Sequence, residues 1–233
     1  MAFRFRQFLI EDKKSALRVG TDAMLLGAWT QPGAAQRILD IGTGCGVLAL
    51  MMAQQSDALI EAIDLDLPSA LEARDNFSHS PWNERLTAIN DTIQNFSMYA
   101  SACYDLIIAN PPFFSNSLKS PSARKNRSRH DDGLTLEELG LIAEKLLSPY
   151  GRFSLILPSE TAARYRLHIE RCGLHLSRSM VVYPKPASPS RRTLMEFSKQ
   201  AVNQAEETEL TILDPSGKFS RAYLTLTHSF HQF

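Results

Sequence analysis

The residues best placed by type and spacing to do chemistry are Asn110, Pro111, Pro112 and Phe113, four in succession. Two prolines in a row have fixed φ and no N–H, so the Asn110 side chain and the Pro111 carbonyl are held as rigid acceptors. A pair of acceptors so placed fits the two hydrogens of a planar NH2 group. The ring of Phe113 can then lie flat on the π-system that carries such an amine. An Asn-Pro turn at the end of a strand is also ordinary loop chemistry, so the assignment depends on what else converges on it.

A second motif converges. Gly42, Gly44 and Gly46 alternate in Gly-Thr-Gly-Cys-Gly, where positive φ is accessible and no Cβ blocks the approach of a ligand. A turn for a dinucleotide pyrophosphate wants its third glycine three positions after the second, and that position is Val47. The G-x-G-x-G spacing therefore favours an uncharged contact between backbone and an amino-acid and nucleoside ligand, with Asp40 available for an ammonium group. Asp64 follows about twenty positions after the turn, where this architecture hydrogen-bonds a ribose diol. Asp66 suits the first turn of the next helix. Asp91 is a third acid after a strand, able to meet an adenine amine or simply to make a turn.

These residues need elements to hold them. Arg37 to Ile41 reads as a short apolar strand running into the glycine turn, and Val47 to Gln54 as the helix that follows. Leu59 to Ile63 and Leu86 to Ile89 are strands ending near Asp64 and Asp91. Tyr104 to Ala109 is a buried parallel strand whose carboxyl end carries Asn110, the edge at which open α/β sheets bind ligands. Thr135 and Glu138 form a capping box before a helix that stops at Ser148-Pro149. Further on come a strand from Gly151 to Pro158, a helix from about Glu160 to Cys172, and strands at Leu176 to Tyr183, Thr193 to Phe197 and Glu209 to Leu213. The proline-rich link Pro184 to Arg192 is an extended loop. An amphipathic helix closes the chain, and Met1 to Phe8 alternates like a strand.

The glycine turn, the acid after the second strand and Asn-Pro-Pro-Phe after the fourth resemble a class I S-adenosylmethionine-dependent methyltransferase of the branch that methylates planar exocyclic nitrogens. The run from Arg18 to Trp29 (RVGTDAMLLGAW), with the glycine turn and Ser80-Pro81-Trp82, is similar to the bacterial tRNA adenine-N6 methyltransferases acting at position 37 of valine tRNA. The similarity covers nearly the whole chain. It implies an α/β, Rossmann-like fold: a seven-stranded, mostly parallel sheet with an antiparallel edge, helices on both faces, and the strand near Arg37 central. It implies S-adenosyl-L-methionine as cofactor and Thr21 and Asp22 closing its pocket. The loop from Asn110 to Phe113 would hold the target adenine. Relatives usually carry Tyr where this chain has Phe113. The acid after the third strand in relatives falls at Thr92 by ungapped spacing, so Asp91 and Thr92 both remain candidates for the adenine contact.

The 233 residues, 44% hydrophobic and 21% charged, suit one methyltransferase domain over 1–233 with a short extension at about 1–33. Formal charge is zero, so RNA must be held by local patches. The segment Lys119 to His130 contains no acid and follows the Asn-Pro-Pro-Phe loop; Lys119, Arg124, Lys125, Arg127, Arg129 and His130 are its candidate contacts to an anticodon loop. Its plain alternative is a solvated loop. Cys45, Cys103 and Cys172 form no C-x-x-C pair, which argues against a zinc motif and for a reduced, cytoplasmic compartment. The histidines have no ligand spacing, and no metal is expected. No apolar stretch is long enough to span a membrane, and none is expected as a partner. Two other functions fit the same residues: a methyltransferase for a base amine in ribosomal RNA, and a non-catalytic RNA-binding protein on a cofactor fold. Oligomeric state has no signature in the sequence.

Overall fold

The computed structural model describes residues 2–15, 18–101, 103–111 and 134–231. Pro112, Phe113 and the whole basic segment from Lys119 to His130 lie outside the described residues. In chain order the elements are β1 (Ala2–Arg4), β2 (Leu9–Glu11), α1 (Thr21–Trp29), β3 (Arg37–Ile41), α2 (Val47–Gln55), β4 (Leu59–Asp64), α3 (Leu67–Ser78), β5 (Leu86–Asn90), α4 (Ile93–Tyr99), β6 (Tyr104–Ala109), α5 (Leu136–Leu146), β7 (Leu147–Pro158), α6 (Ser159–Arg171), β8 (His175–Tyr183), β9 (Arg192–Ser198), β10 (Glu206–Thr211) and α7 (Arg221–Thr227).

The main sheet has the order β10-β8-β9-β7-β6-β3-β4-β5. It holds eight strands rather than the expected seven, because β10 adds in parallel to the outside of β8. β3 lies in the middle of the parallel run from β7 to β5, as the sequence suggested. The antiparallel pairings fall at the far end, where β9 lies between β7 and β8 and runs against both. The outermost strand is thus parallel to its neighbour, and β9 lies one place further in. At the amino end the expected single strand is broken. The chain turns after β1, with Phe5 stacked on Phe8 at 4.3 Å, and returns as β2.

Successive residues of each buried strand serve opposite faces of the sheet. In β6, Leu106 and Ile108 enter one core with side chains of α1, α2, α3 and α7, while Ile107 and Ala109 enter a second core with those of α4, α5 and α6. All four are fully buried, and a large aliphatic side chain so placed contributes about 1.5–3 kcal/mol. β6 therefore reads as a continuous apolar run, and Asn110 is the first residue to leave it.

One buried ionic network fixes α1 against the sheet. Glu196 of β9 takes Arg178 Nε at 3.0 Å, Arg152 Nη1 at 3.3 Å and Ser154 Oγ at 2.8 Å. Burial alone would raise the Glu196 carboxyl, but the two arginines and the serine outweigh it and hold it below the usual range. Arg178 also lies 4.0 Å from the ring centre of Trp29 and donates to the Trp29 carbonyl at the end of α1. Removing one member of such a network costs about 3–5 kcal/mol, because a buried charge is left alone.

Candidate functional site

Strand register places the candidate residues. Ile41 pairs with Ile63 on one side and with Ala109 on the other, and Asp64 pairs with Asn90. The next residues along, Asn90, Asp64, Gly42 and Asn110, therefore stand in line across four adjacent strands at the carboxyl edge. At about 4.8 Å per strand the line is about 14 Å long. Asn110 is part-exposed and Pro111 is buried. Among the described residues nothing hydrogen-bonds the Asn110 side chain.

The glycine turn is held from beneath. Gly42, Gly44 and Gly46 all have positive φ, at 73°, 57° and 88°. The Gly42 and Thr43 amides both donate to the Ile63 carbonyl, at 2.8 and 3.0 Å. Gly44 N–H donates to Asp64 Oδ2 at 2.8 Å, and Gly46 N–H donates to the Thr43 carbonyl at 2.9 Å. With those four donors turned inward, the turn is poorly suited to a pyrophosphate, in keeping with its glycine spacing. Two of its glycines do different jobs. A Cβ on Gly42 would meet open space on the exposed face, whereas one on Gly46 would strike the Phe77 ring at 2.5 Å. Gly42 leaves room for a ligand, and Gly46 leaves room for α3.

Asp40 is fully buried below the turn. Its Oδ2 accepts from Thr43 Oγ1 at 2.6 Å and from Ala49 N–H at 3.2 Å, while Oδ1 has no hydrogen-bond partner. Burial pushes its carboxyl up to about 7, against the pull of those two bonds. It braces the turn and the start of α2, and its full burial leaves it no exposed surface for the direct ammonium contact expected of it. Asp64 is half-buried; its Oδ1 accepts from Asp66 N–H at 2.9 Å, and desolvation raises its carboxyl too. Each Asp64 oxygen keeps a lone pair for a hydroxyl. Asp66 caps α3, as its position suggested.

Asp91 and Thr92 are both engaged in holding α4. Thr92 is the N-cap, accepting from Asn95 N–H. Asp91 accepts from Asn95 Nδ2 at 2.9 Å and from Tyr99 Oη at 2.8 Å, which together hold its carboxyl below the usual range. Thr21 and Asp22 open α1, and the Asp22 carboxylate pairs with Arg192 Nε at 2.8 Å, reaching toward β9. Among the described residues no group of three or more His, Cys, Asp or Glu is gathered as a metal would require, and no helix is long and apolar enough to cross a membrane.

Four residues of this edge were not singled out from the sequence. Asn90 donates to the Asp64 and Leu65 carbonyls at 3.0 and 3.2 Å, tying β5 to the end of β4. Leu65, next to Asp64, is 58% exposed and offers an apolar surface there. Glu72 of α3 is buried and accepts from three successive amides, Lys13 at 2.8 Å, Lys14 at 2.9 Å and Ser15 at 2.8 Å. Asn76, one turn on, bonds both backbone groups of Glu11 and the Cys45 carbonyl in the glycine turn. Polar residues facing the buried side of a helix were the only signal, and they name no partner 50 or more positions away.

Comparison with known proteins agrees with this fold. A family model described as the methyltransferase small domain matches residues 14–127. A tRNA1(Val) (adenine(37)-N6)-methyltransferase of Bacteroides fragilis is 39% identical over 233 residues, covering 98% of this chain and 97% of that protein. Proteins of the same description from Trichodesmium erythraeum and Serratia proteamaculans are 40% and 34% identical, covering 98% and 99% of the chain and 97% and 90% of their own lengths. Among solved structures, a predicted O-methyltransferase of Agrobacterium tumefaciens superimposes with a TM-score of 0.65 at 19% identity, over 90% of this chain and 96% of that one. M. jannaschii TYW2 in complex with AdoMet gives 0.55 at 12% identity, over 84% and 85%. These two likenesses speak for the fold.

Proposed function

Because the chain belongs to the tRNA1(Val) (adenine(37)-N6)-methyltransferase family, we propose that it methylates the exocyclic N6 amine of an adenosine in tRNA, at position 37 in the anticodon loop of valine tRNA. S-adenosylmethionine, when bound, supplies an electrophilic methyl group on a sulfonium. The residues present fit it: Gly42 has an open face, Asp64 retains acceptor capacity, and Asp40 holds an unpartnered carboxylate oxygen beneath the turn. Asp64 serves the ribose hydroxyls, and Leu65 lies beside the base.

The observation that carries the reading is the line of Asp64, Gly42 and Asn110 along one sheet edge. A methyl donor bound over Gly42 and Asp64 would then lie beside the acceptor of the target amine. The Asn110 side-chain oxygen and the Pro111 carbonyl accept the two N6 hydrogens, which draws the nitrogen lone pair out of the ring as it attacks. This is catalysis by position and aligned dipoles. The nitrogen–methyl bond would form as the methyl–sulfur bond breaks to leave a neutral thioether, and the amine, acidic only then, would give its proton to water, so no strong base is needed at the site. The Phe113 ring stacks on the adenine, and the basic residues from Lys119 to His130 hold phosphates around it. A loop nucleotide is cheaper to extrude than one in a duplex. With tRNA as substrate, we assign the cytoplasm as its compartment.

The test is transfer of labelled methyl from S-adenosylmethionine into total RNA of a strain lacking this protein, followed by nucleoside analysis. N6-methyladenosine in the tRNA fraction is the expected result. Label in ribosomal RNA, or on another base, would overturn the assignment.

A further inference from the structure

Beyond the catalytic loop, one ordered part of the carboxyl edge carries charge that the protein does not use. The link between β8 and β9 is fixed by its own bonds: Lys185 N–H donates to Ser188 Oγ, Ser188 Oγ donates to the Lys185 carbonyl, and Arg191 N–H donates to the Val182 carbonyl. Ala187 in this link is the one described non-glycine residue with positive φ, at 57°. The neighbouring turn after β10 is joined to it through Leu213 N–H and the Pro184 carbonyl at 3.1 Å. Three exposed cations stand on these two loops, Lys185, Arg191 and Lys218. Among the described residues none of their side chains has a hydrogen-bond or ion-pair partner. Arg192, by contrast, is engaged by Asp22. The acid of the second loop, Asp214, is already occupied by Ser216 and the Lys218 amide.

Register places this rim close to the reacting edge. Arg192 pairs with Pro158, whereas Ala109 pairs with Leu155, so the rim stands about 7 Å above the level of Asn110. β8 is three strands from β6, about 14 Å across the sheet. A polyanion whose base occupies the site has this rim within reach of its neighbouring phosphates. The chain has no net charge to attract one otherwise.

We propose that Lys185 and Arg191, with Lys218 beside them, form a phosphate-binding rim for the RNA substrate, on the opposite side of Asn110 from the cofactor. This rests on the reading that RNA is the substrate, and it is independent of the basic segment from Lys119 to His130. Its test is tRNA binding by the intact protein at several salt concentrations, measured apart from methyl transfer. In Lys185→Ala/Arg191→Ala, affinity should fall about tenfold at low salt, and the slope of log K against log salt should lessen by about 1.4–1.8, for two lost phosphate contacts. The KM for tRNA should rise in parallel, with kcat and S-adenosylmethionine affinity within about twofold. A control, Arg171→Ala/Lys199→Ala, removes the same charge from the opposite edge and should change neither affinity nor slope. Unchanged tRNA affinity and slope in the first variant would overturn the rim, as would an equal loss in the control. Loss of binding to anionic lipid vesicles with tRNA binding intact would assign the cations to a membrane surface instead. If the unaltered protein methylates no tRNA, the functional reading fails, while the binding comparison still decides whether the rim holds RNA.

Discussion

The carboxyl edge of the sheet is built in two ways on either side of Gly42. From β3 to β5 most polar groups are satisfied within the protein, Asp40 Oδ1 excepted: turn amides on Ile63 and Asp64, Asn90 on the end of β4, Glu72 on three amides of the amino-terminal segment. From β6 to β8 the Asn110 amide, Lys185 and Arg191 have no partner among the described residues. The difference follows from what each side receives. A small ligand is bound by a cavity whose shape is set in advance, and a saturated network sets it. A large anion brings its own charges, and exposed cations await it at little cost because water solvates them. Side chains on the first side should thus show their worth in stability and cofactor affinity, and those on the second in turnover and RNA binding.

The largest effect is expected from the unpartnered side. Asn110→Ala removes an acceptor needed mainly as the amine changes geometry, so single-turnover methylation should slow by about 10²–10³-fold, or 3–4 kcal/mol. Affinities for S-adenosylmethionine and tRNA should remain within about twofold. Normal single-turnover rates in this variant would remove Asn110 from the reaction. On the saturated side, Glu72→Ala strands three amide donors and should cost about 3 kcal/mol of unfolding free energy. Glu72→Gln keeps one acceptor oxygen and should recover part of it. Denaturant melts of the two variants test this order, and equal stabilities would mean that the clasp does not hold the segment.

How much of this was legible in the sequence depended on distance along the chain. The strand, glycine turn and helix around Gly42 were readable because period, turn chemistry and capping are local. The place of Asn110 at the carboxyl end of a central strand was readable because Pro-Pro follows a continuous apolar run. The eighth strand was legible only in part: a strand was expected over Glu209 to Leu213, but it runs from Glu206 to Thr211, because parallel pairing with β8 holds the polar Glu206 and Glu207 in the sheet. Asp22 shows a further limit. Its place in the motif was noted, but the helix it opens was not read, and its partner Arg192 lies 170 positions away, brought near by β9. Asp40 was noticed as an acid near a ligand, yet its burial beneath the turn depends on α2 packing over it.

Asp64→Ala tests the boundary between the two sides, since this residue both ties Gly44 and offers acceptors to the ribose. S-adenosylmethionine binding should weaken by about 1–3 kcal/mol in calorimetry, while tRNA affinity measured without cofactor stays the same. Unchanged cofactor affinity would confine Asp64 to bracing the turn.

The smallest effect is the most specific to the saturated side, because it comes from a charge the protein has sealed in. Burial raises the Asp40 carboxyl from 3.8 to about 7, so the folded protein holds this proton more tightly than the unfolded chain does. The stability it confers is complete below about pH 4 and is lost as pH rises to about 7. A cationic ligand above the turn favours the carboxylate, so binding should expel the proton where the free protein still holds it. Affinity for S-adenosylmethionine should therefore rise with pH between about 5 and 7 and level off above, by as much as about tenfold, or 1.4 kcal/mol. Calorimetry in buffers of different ionisation heat should register release of a fraction of a proton near pH 6. Asp40→Asn can still accept from Thr43 and Ala49 through its amide oxygen but carries no charge. It should flatten this profile and lose affinity at pH 8, with stability at pH 8 equal to or above that of the unaltered protein. The ligand's own titration is common to both proteins, so the difference between the two curves belongs to Asp40. Parallel curves would mean that the buried charge does not reach the ligand, and that Asp40 acts on the groove only by holding the turn in shape.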